Sequence, residues 1–205
     1  MIVVSLFDIT GNMVRPWVDS GYTAYIVDIQ HPPGQTSTEP RIIRIGADIR
    51  AGFSLPGVKP EFVAAFPPCD HLAVSGARWF KGKGLRALSL SIDLFATAAE
   101  YCESTGAPYV IENPVSTIST YWRKPDHTFN PSDFTGWEPN DNYTKKTCLW
   151  AGGGFVMPQS DRAEGLGAPD NRIHTCPPGP ERHNIRSATP MGFARAVFDA
   201  NRSLG

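Results

Sequence analysis

Residues 62–69, FVAAFPPC, form a short apolar run that ends in two prolines and a cysteine. Residues 85–104, LRALSLSIDLFATAAEYCES, follow with a broad apolar face, and Gly106 and Pro108 stop that stretch. A second short apolar run starts at Tyr109. This succession of strand, helix and strand signals predicts a protein of the α/β class.

Apolar runs that resemble buried strands recur along the chain, at residues 2–7, 23–27, 41–45, 62–66 and 109–111. Residues 190–201 predict a closing helix, with Phe193, Ala196 and Val197 on one face. We therefore expect a doubly wound α/β sheet in a single domain that spans residues 1–205. In such sheets ligands bind beyond the carboxyl ends of the strands.

Composition narrows the class of protein. The chain of 205 residues has no apolar run near the roughly 20 residues that span a bilayer, and no secretion signal precedes its first apolar stretch. We expect a soluble cytoplasmic protein whose four separate cysteines are free thiols. Its 19 basic and 20 acidic residues give a net charge of −1, which by itself does not indicate a binder of duplex DNA.

Two segments, residues 125–142 and 157–186, are rich in Pro, Asn, Asp and Gly. They predict long loops that form a lid or a recognition surface, with simple disorder as the alternative. Four cations, Arg78, Lys81, Lys83 and Arg86, lie within nine residues. We expect Arg78, Lys81 and Lys83 to contact phosphate, against the alternative of a solvated charged surface.

Polar residues follow the first three predicted strands. Residues 7–12, FDITGN, come after the first strand, Asp28 ends the second, and Asp48 follows the third. A turn that contains glycine lets the backbone approach a ligand, and an acid after the next strand can bind ribose hydroxyls. The third acid is placed to reach an adenine amino group. This edge of the sheet is therefore a candidate nucleoside site.

The strongest functional signal is a cysteine paired with a carboxylate. The fourth strand leads to Phe66-Pro67-Pro68-Cys69, and the fifth leads to Glu112-Asn113-Pro114. A lone Cys is usually a small buried apolar residue and a lone Glu usually a solvated one. Because both follow neighbouring strands, we expect a thiol nucleophile and an acid partner in one crevice.

Taken in order, these segments resemble the motifs of DNA cytosine-5 methyltransferases, in the style of the short methylases encoded by phages. The similarity covers roughly the first 115 residues, as judged by motif order. Residues 143–147, YTKKT, stand where the family has a Gln-x-Arg-x-Arg segment, and residues 184–190, NIRSATP, resemble its last motif, which returns to the cofactor side. The resemblance implies a bacterial or phage-infected host cell.

The resemblance implies S-adenosylmethionine as cofactor and methyl transfer to carbon 5 of cytosine, in DNA or in a cytosine nucleotide. Cys69 would attack carbon 6 while Glu112 protonates ring N3. The implied cofactor contacts are Phe7, Asp8, Thr10, Gly11, Asn12, Met13, Asp28, Ile29, Asp48, Ile49 and Pro67. The implied substrate contacts are Phe66, Pro68, Asn113, Pro114, Arg78, Lys81, Lys83, Lys145 and Lys146.

The sequence also departs from the family. Ser5 replaces the acid that usually starts the first motif, Asp8 replaces a small residue there, and Asp70 replaces a Gln. Only the 41 residues from Cys148 to Ala188 separate the Lys-Lys segment from the last motif, too few for a separate target-recognition domain. A free nucleotide therefore stays open as the substrate, beside duplex and single-stranded DNA.

Three other interpretations stay open. An exocyclic-amine methyltransferase would carry Asn/Asp-Pro-Pro-aromatic where this chain has Phe66-Pro67-Pro68-Cys69. A cofactor-binding or nucleic-acid-binding module without turnover would not need both Cys69 and Glu112. A metal site that joins Cys69 and His71 to His174 and Cys176 would use spacings that are not standard for zinc, and we expect no metal.

Overall fold

Eight strands form one mixed sheet in the computed structural model, which describes residues 1–179 and 182–202, without the side chains of Thr38 and His183. The strands are β1 (Ile2–Leu6), β2 (Thr23–Val27), β3 (Gly34–Glu39), β4 (Ile42–Gly46), β5 (Phe62–Ala65), β6 (Tyr109–Pro114), β7 (His127–Phe129) and β8 (Thr147–Gly152). Their spatial order is β3-β4-β2-β1-β5-β6-β8-β7. The sheet with its helices confirms the prediction of an α/β fold, and the sheet is mixed.

The five predicted strands are β1, β2, β4, β5 and β6, and they are parallel neighbours in the middle of the sheet. Their register aligns Leu6 with Val27 and Ala65, Val27 with Ile45, and Ala65 with Ile111. The residues that follow these positions therefore lie along one edge of the sheet. Strands β3, β7 and β8 are antiparallel additions at the two sides.

Helices cover both faces of the sheet. They are α1 (Arg15–Asp19), α2 (Phe80–Thr105), α3 (Ile118–Tyr121), α4 (Arg172–Thr175), α5 (Arg182–Ser187) and α6 (Met191–Asn201). Strand residues alternate between two cores, because successive side chains point to opposite faces. Val3 and Ala64 join the core of α1 and α6, whereas Val4 and Val63 join the core of α2.

The predicted helix over residues 85–104 is confirmed, with an extension at its start. A break at Gly84, with φ +76° and ψ 176°, separates the first turn of α2 from the regular helix, and Gly106 ends the helix in a left-handed conformation. The closing helix α6 agrees with the predicted range within one residue.

The prediction of a long loop at residues 125–142 was wrong. This segment contains β7 and two short 3₁₀ helices (Pro131–Phe134 and Pro139–Asp141), and it buries Phe129 and Phe134 in the first core. A capping box between Asn130 and Asp133 satisfies the backbone of the first 3₁₀ helix. A segment rich in turn-forming residues can therefore still pack into the core.

The second predicted loop, residues 157–186, divides into two parts. Residues 157–171 contain no helix or strand, but they are bound to the fold: the backbone N–H of Asp161 donates to the carbonyl of Asp133, and the N–H of Gly136 donates to that of Asp161. Helix α4 and the start of α5 follow, on either side of residues 180–181, which lie outside the described part of the chain. Because residues 157–171 are hydrogen-bonded to the rest of the fold, they do not form a freely moving lid.

Candidate active site

Cys69 lies just beyond β5, where the chain leaves the sheet edge through two prolines. Its carbonyl accepts hydrogen bonds from the N–H groups of Leu72 and Ala73, which fixes the turn that carries the thiol. The side chain is half-buried. Burial, followed by the negative charges of Asp70 and Glu112, raises the pKa of the Cys69 thiol to about 11, and Lys145 opposes this shift. The free protein therefore holds Cys69 as a thiol at neutral pH.

Glu112 lies in β6, and Ile111 before it pairs with the last residue of β5. Its carboxylate is 9% exposed, and Oε1 lies 3.4 Å from Lys145 Nζ. Oε2 is buried and has no hydrogen-bond partner among the described residues. A buried carboxylate oxygen without a partner is costly, so this atom is available for a ligand.

Lys145 connects this carboxylate to the end of the chain. Its ammonium group donates to the carbonyls of Ala188 at 3.2 Å and Ser187 at 3.4 Å, in the segment just before α6. Because Lys145 also lowers the pKa of Cys69, three functional groups from β5, β6 and the approach to β8 share one electrostatic environment. Arg78, which the sequence predicts as a phosphate contact, stacks on Trp79, with its guanidinium carbon 5.0 Å from the ring centre.

Asn113 ties the two strand ends together. Its amide nitrogen donates to the carbonyl of Pro67 at 2.9 Å, and its Oδ1 is buried without a partner among the described residues. Pro67 is itself buried, whereas Phe66, Pro68 and Pro114 are partly exposed at the same edge. Cys69, Glu112 and Asn113 therefore lie at neighbouring strand ends, and Glu112 Oε2 and Asn113 Oδ1 are the unpartnered acceptor atoms there.

The loop after β1 is held by its own acid. Asp8 Oδ1 accepts from the backbone N–H groups of Thr10 at 2.9 Å and Gly11 at 2.7 Å, and Oδ2 accepts from the Ser5 hydroxyl at 2.7 Å. Gly11 has φ +72°, a conformation that favours glycine. Phe7, at φ +55°, adopts a left-handed conformation that is rare for a bulky residue. Hydrogen bonds thus fix the conformation of this turn, but its N–H groups at Thr10 and Gly11 already donate to Asp8.

Asn12, on the same loop, donates from its side chain to the carbonyl of Thr189 at 3.2 Å. This contact, together with those of Lys145, confirms that residues 184–190 return to the edge that carries the first loop. Met13 does not face this edge, because its side chain is only 1% exposed and belongs to the first core.

Asp28 and Ile29 form the most ligand-like part of the second strand's end. Asp28 is buried, and its Oδ1 accepts from the backbone N–H of Gln30 at 2.8 Å. Burial is the main cause that raises the pKa of Asp28. Ile29, directly after it, is 68% exposed. An acid in this position can bind ribose hydroxyls, and the exposed apolar side chain beside it can pack against a flat ring.

Asp48 and Ile49 differ from what the resemblance implies. Asp48 caps a 3₁₀ helix (Ile49–Ala51), and hydrogen bonds from the Arg50 side chain hold the pKa of this carboxyl below its usual value. Ile49 is buried in the second core. The Asp48 carboxylate is therefore already paired with Arg50. Ile49 can contact a ligand through its backbone rather than through its side chain.

The remaining predicted cations lie outside the crevice. Lys81 and Lys83 are exposed at the start of α2, where Lys83 donates to the carbonyl of Asp70, and Lys146 is exposed next to Lys145. Sequence reasoning missed His31, whose Nε2 lies 2.9 Å from the carbonyl oxygen of Asp8 and so links the first two strand ends. A lone histidine three residues after Asp28 gave no signal of this contact.

No group of three or more His, Cys, Asp or Glu side chains among the described residues is arranged to hold a metal ion. None of the described helices is both long and apolar enough to cross a bilayer.

No protein-family model matches the chain, and no curated protein is significantly similar in sequence. One solved structure that it resembles is a candidate DNA modification methyltransferase encoded within an E. coli prophage, with 12% identity and a TM-score of 0.44. The match covers 74% of this chain and 46% of that protein, so this chain spans less than half of its length. A TM-score this low does not establish a shared fold.

Proposed function

We propose that this chain is a methyltransferase that transfers a methyl group to carbon 5 of cytosine, with Cys69 as nucleophile and Glu112 as acid partner. The observation that carries the proposal is the buried, unpartnered Oε2 of Glu112 beside the Cys69 thiol. Cytosine offers ring N3 and an exocyclic amine on one edge, which are the groups that such a carboxyl group would bind. Asn113, Phe66, Pro68 and Pro114 would line the same crevice.

The chemistry needs both groups. The sulfur of Cys69 would bond to carbon 6 after losing its proton, and Glu112 would hydrogen-bond or protonate N3, so that electron density moves to carbon 5. Carbon 5 then takes the methyl group and loses its proton to a base. The bond between the Cys69 sulfur and carbon 6 breaks last: the sulfur leaves as a thiolate and N3 returns its proton to Glu112, which restores the aromatic ring.

The raised pKa of Cys69 sets a condition on this mechanism. At about 11 the thiolate is scarce at neutral pH, so substrate binding has to favour it. Glu112 is one of the charges that oppose ionisation, and a proton held between Glu112 and N3 would remove that charge. Lys145, which faces Glu112, would then stabilise the Cys69 thiolate, because the charge of Glu112 would no longer oppose ionisation of the thiol.

S-adenosylmethionine, when bound, would supply the electrophilic methyl group. The residues at the ends of β1 and β2 fit such a cofactor in part: the turn at Gly11 admits a close ligand, Asp28 Oδ2 can accept from ribose hydroxyls, and exposed Ile29 can cover the adenine. The side chains of Thr10 and Asn12 and the backbone at Phe7, Ile49 and Pro67 border the same edge. Strand order supports this site, because it reverses between β1 and β5, where α/β sheets bind ligands.

A binding module without turnover is the second candidate. Asp8 already occupies the N–H groups of Thr10 and Gly11, which a cofactor carboxylate would otherwise use, and the thiol is not ionised in the free protein. This candidate predicts ligand binding with no methyl transfer.

Methyl transfer from isotopically labelled S-adenosylmethionine tests the proposal. Duplex DNA, single-stranded DNA and deoxycytidine nucleotides should be offered side by side to the parent chain, to Cys69→Ser and to Cys176→Ser as a matched control. We expect incorporation at carbon 5 with the parent and with Cys176→Ser, and none with Cys69→Ser. Incorporation at the exocyclic amine, or equal transfer by Cys69→Ser, would contradict the proposal.

A further inference from the structure

Two segments that border the candidate active site contain cations and no acids. Residues 71–92 carry Arg78, Lys81, Lys83 and Arg86, and residues 113–125 carry Arg123 and Lys124. Neither segment contains an Asp or Glu, although acids outnumber bases over the whole chain. Within this face Arg123 is paired with Asp126, which lies just outside it. The two segments, which we name the aromatic-basic face, thus concentrate positive charge next to Cys69 and Glu112.

The same face is unusually apolar. Of the thirteen large apolar side chains that are exposed among the described residues, four lie in residues 71–92 and three in residues 113–125. Trp79 is 60% exposed, Tyr121 66% and Trp122 44%. Arginines stack on both tryptophans: Arg78 on Trp79 at 5.0 Å and Arg123 on Trp122 at 4.5 Å. An exposed indole ring that is stacked with a guanidinium group is suited to stack on another planar ring.

The two segments are adjacent, because their backbones are paired at one point. Ala73 and Ser116 form an antiparallel bridge, and the N–H of Val74 donates to the carbonyl of Val115 at 3.0 Å. A pocket of about 260 Å³ opens within the first segment, where Phe80 and Leu88 supply apolar walls and Lys81 and Lys83 supply cations. The first segment therefore carries both apolar walls and cations.

We infer that the aromatic-basic face binds an unpaired polynucleotide strand, with bases stacked on Trp79 and Trp122 and phosphates near Arg78, Lys81 and Lys83. This inference rests on the proposed function and selects its substrate class: a single strand rather than a free nucleotide or an intact duplex. Duplex DNA presents phosphates but hides the faces of its bases, whereas a free nucleotide would leave most of this face unused. An acidic protein or an anionic membrane would not need exposed rings, backed by arginines, near the Cys69 thiol.

Binding of a fluorescent 12-nucleotide single strand to the Cys69→Ser protein, without cofactor, tests the inference independently of turnover. Trp79→Ala should weaken binding by roughly 5- to 150-fold, the range for one lost base–aromatic stack. Trp79→Phe should recover much of the loss, and Trp137→Ala, a matched change at an exposed tryptophan outside this face, should have no effect. Lys81→Ala with Lys83→Ala should flatten the salt dependence by roughly 0.7 in log–log slope per lost contact.

Competing ligands separate the other occupants. An RNA strand of the same sequence competing as well as DNA supports the inference and widens the substrate class. Preferred binding of the intact duplex, of deoxycytidine monophosphate or of phosphatidylserine vesicles would overturn it, as would unchanged affinity in Trp79→Ala. Strand binding that depends on Trp79, with no methyl transfer to any cytosine, would leave this face in place and reject the proposed function instead.

Discussion

Cys69 and its charged neighbours make the candidate site sensitive to pH. Burial and the charges of Asp70 and Glu112 raise the pKa of the thiol, and Lys145 lowers it. We expect alkylation of Cys69 by iodoacetamide, followed by peptide mass spectrometry, to accelerate with pH up to about 11. Asp70→Asn and Glu112→Gln should each lower that pKa, and Lys145→Met should raise it. A thiol that titrates at its ordinary pKa in the parent chain would contradict the described environment.

Asp28 offers a residue-level test in which stability and binding move in opposite directions. Burial raises its pKa, so the stability linked to its protonated form is complete below the unfolded pKa near 4 and is lost as pH rises through the folded value. At neutral pH the charge therefore destabilises the fold. Asp28→Asn should raise the melting temperature at pH 7 and weaken S-adenosylmethionine binding about tenfold or more by calorimetry. Lower stability with unchanged affinity would assign Asp28 a purely structural role.

The exchange between Ser5 and Asp8 shows why residue-level prediction was incomplete. Read as a motif, both positions were departures from the family; in the structure, Asp8 accepts from the Ser5 hydroxyl and from two amides of its own turn. Ser5 and Asp8 thus form a hydrogen-bonded pair within one turn. A pattern of single positions cannot reveal that two departures from a motif contact each other in space.

Gly46 controls how the segment with Asp28 folds over the end of β4. A Cβ atom there would lie 2.2 Å from the carbonyl oxygen of Pro32, a backbone contact that cannot relax cheaply. We expect Gly46→Ala to destabilise the fold by about 1–3 kcal/mol and to weaken cofactor binding, because the loop over residues 28–33 has to move. Gly76→Ala is the matched control, since no atom lies within 4 Å of its added Cβ. Equal behaviour of the two variants in thermal melts would reject this packing argument.

At the scale of elements, the sequence predicted the five central strands and the two main helices, because their apolar runs end in clear stop signals. It did not predict β3, a polar edge strand that pairs only with β4, or β7, which has three residues. Strand β8 is buried, but it follows a turn-rich segment that was interpreted as loop. These additions depend on pairing with distant residues, which local patterns do not encode.

At the scale of the whole molecule, the site is assembled from distant parts of the chain. Lys145 reaches carbonyls 42 and 43 residues later, and Asn12 reaches one 177 residues later. Motif order predicted that these segments meet. The raised pKa of Cys69 and the hydrogen bonds that fix the loop after β1 depend on the folded structure, so the sequence did not predict them. Under the proposed function, the substrate contacts lie at the strand ends and on the aromatic-basic face.

The most direct measurement is covalent trapping with a single-stranded oligonucleotide that carries 5-fluorocytosine, in the presence of S-adenosylmethionine. Fluorine cannot leave carbon 5 as a cation, so the bond between Cys69 and carbon 6 should persist and give a denaturation-resistant complex of protein and oligonucleotide. We expect the complex with the parent chain and with Cys176→Ser, far slower formation with folded Glu112→Gln, and none with Cys69→Ser. A chain that methylates cytosine but forms no complex, or a Cys69→Ser variant with full turnover, would contradict carbon-5 chemistry through Cys69.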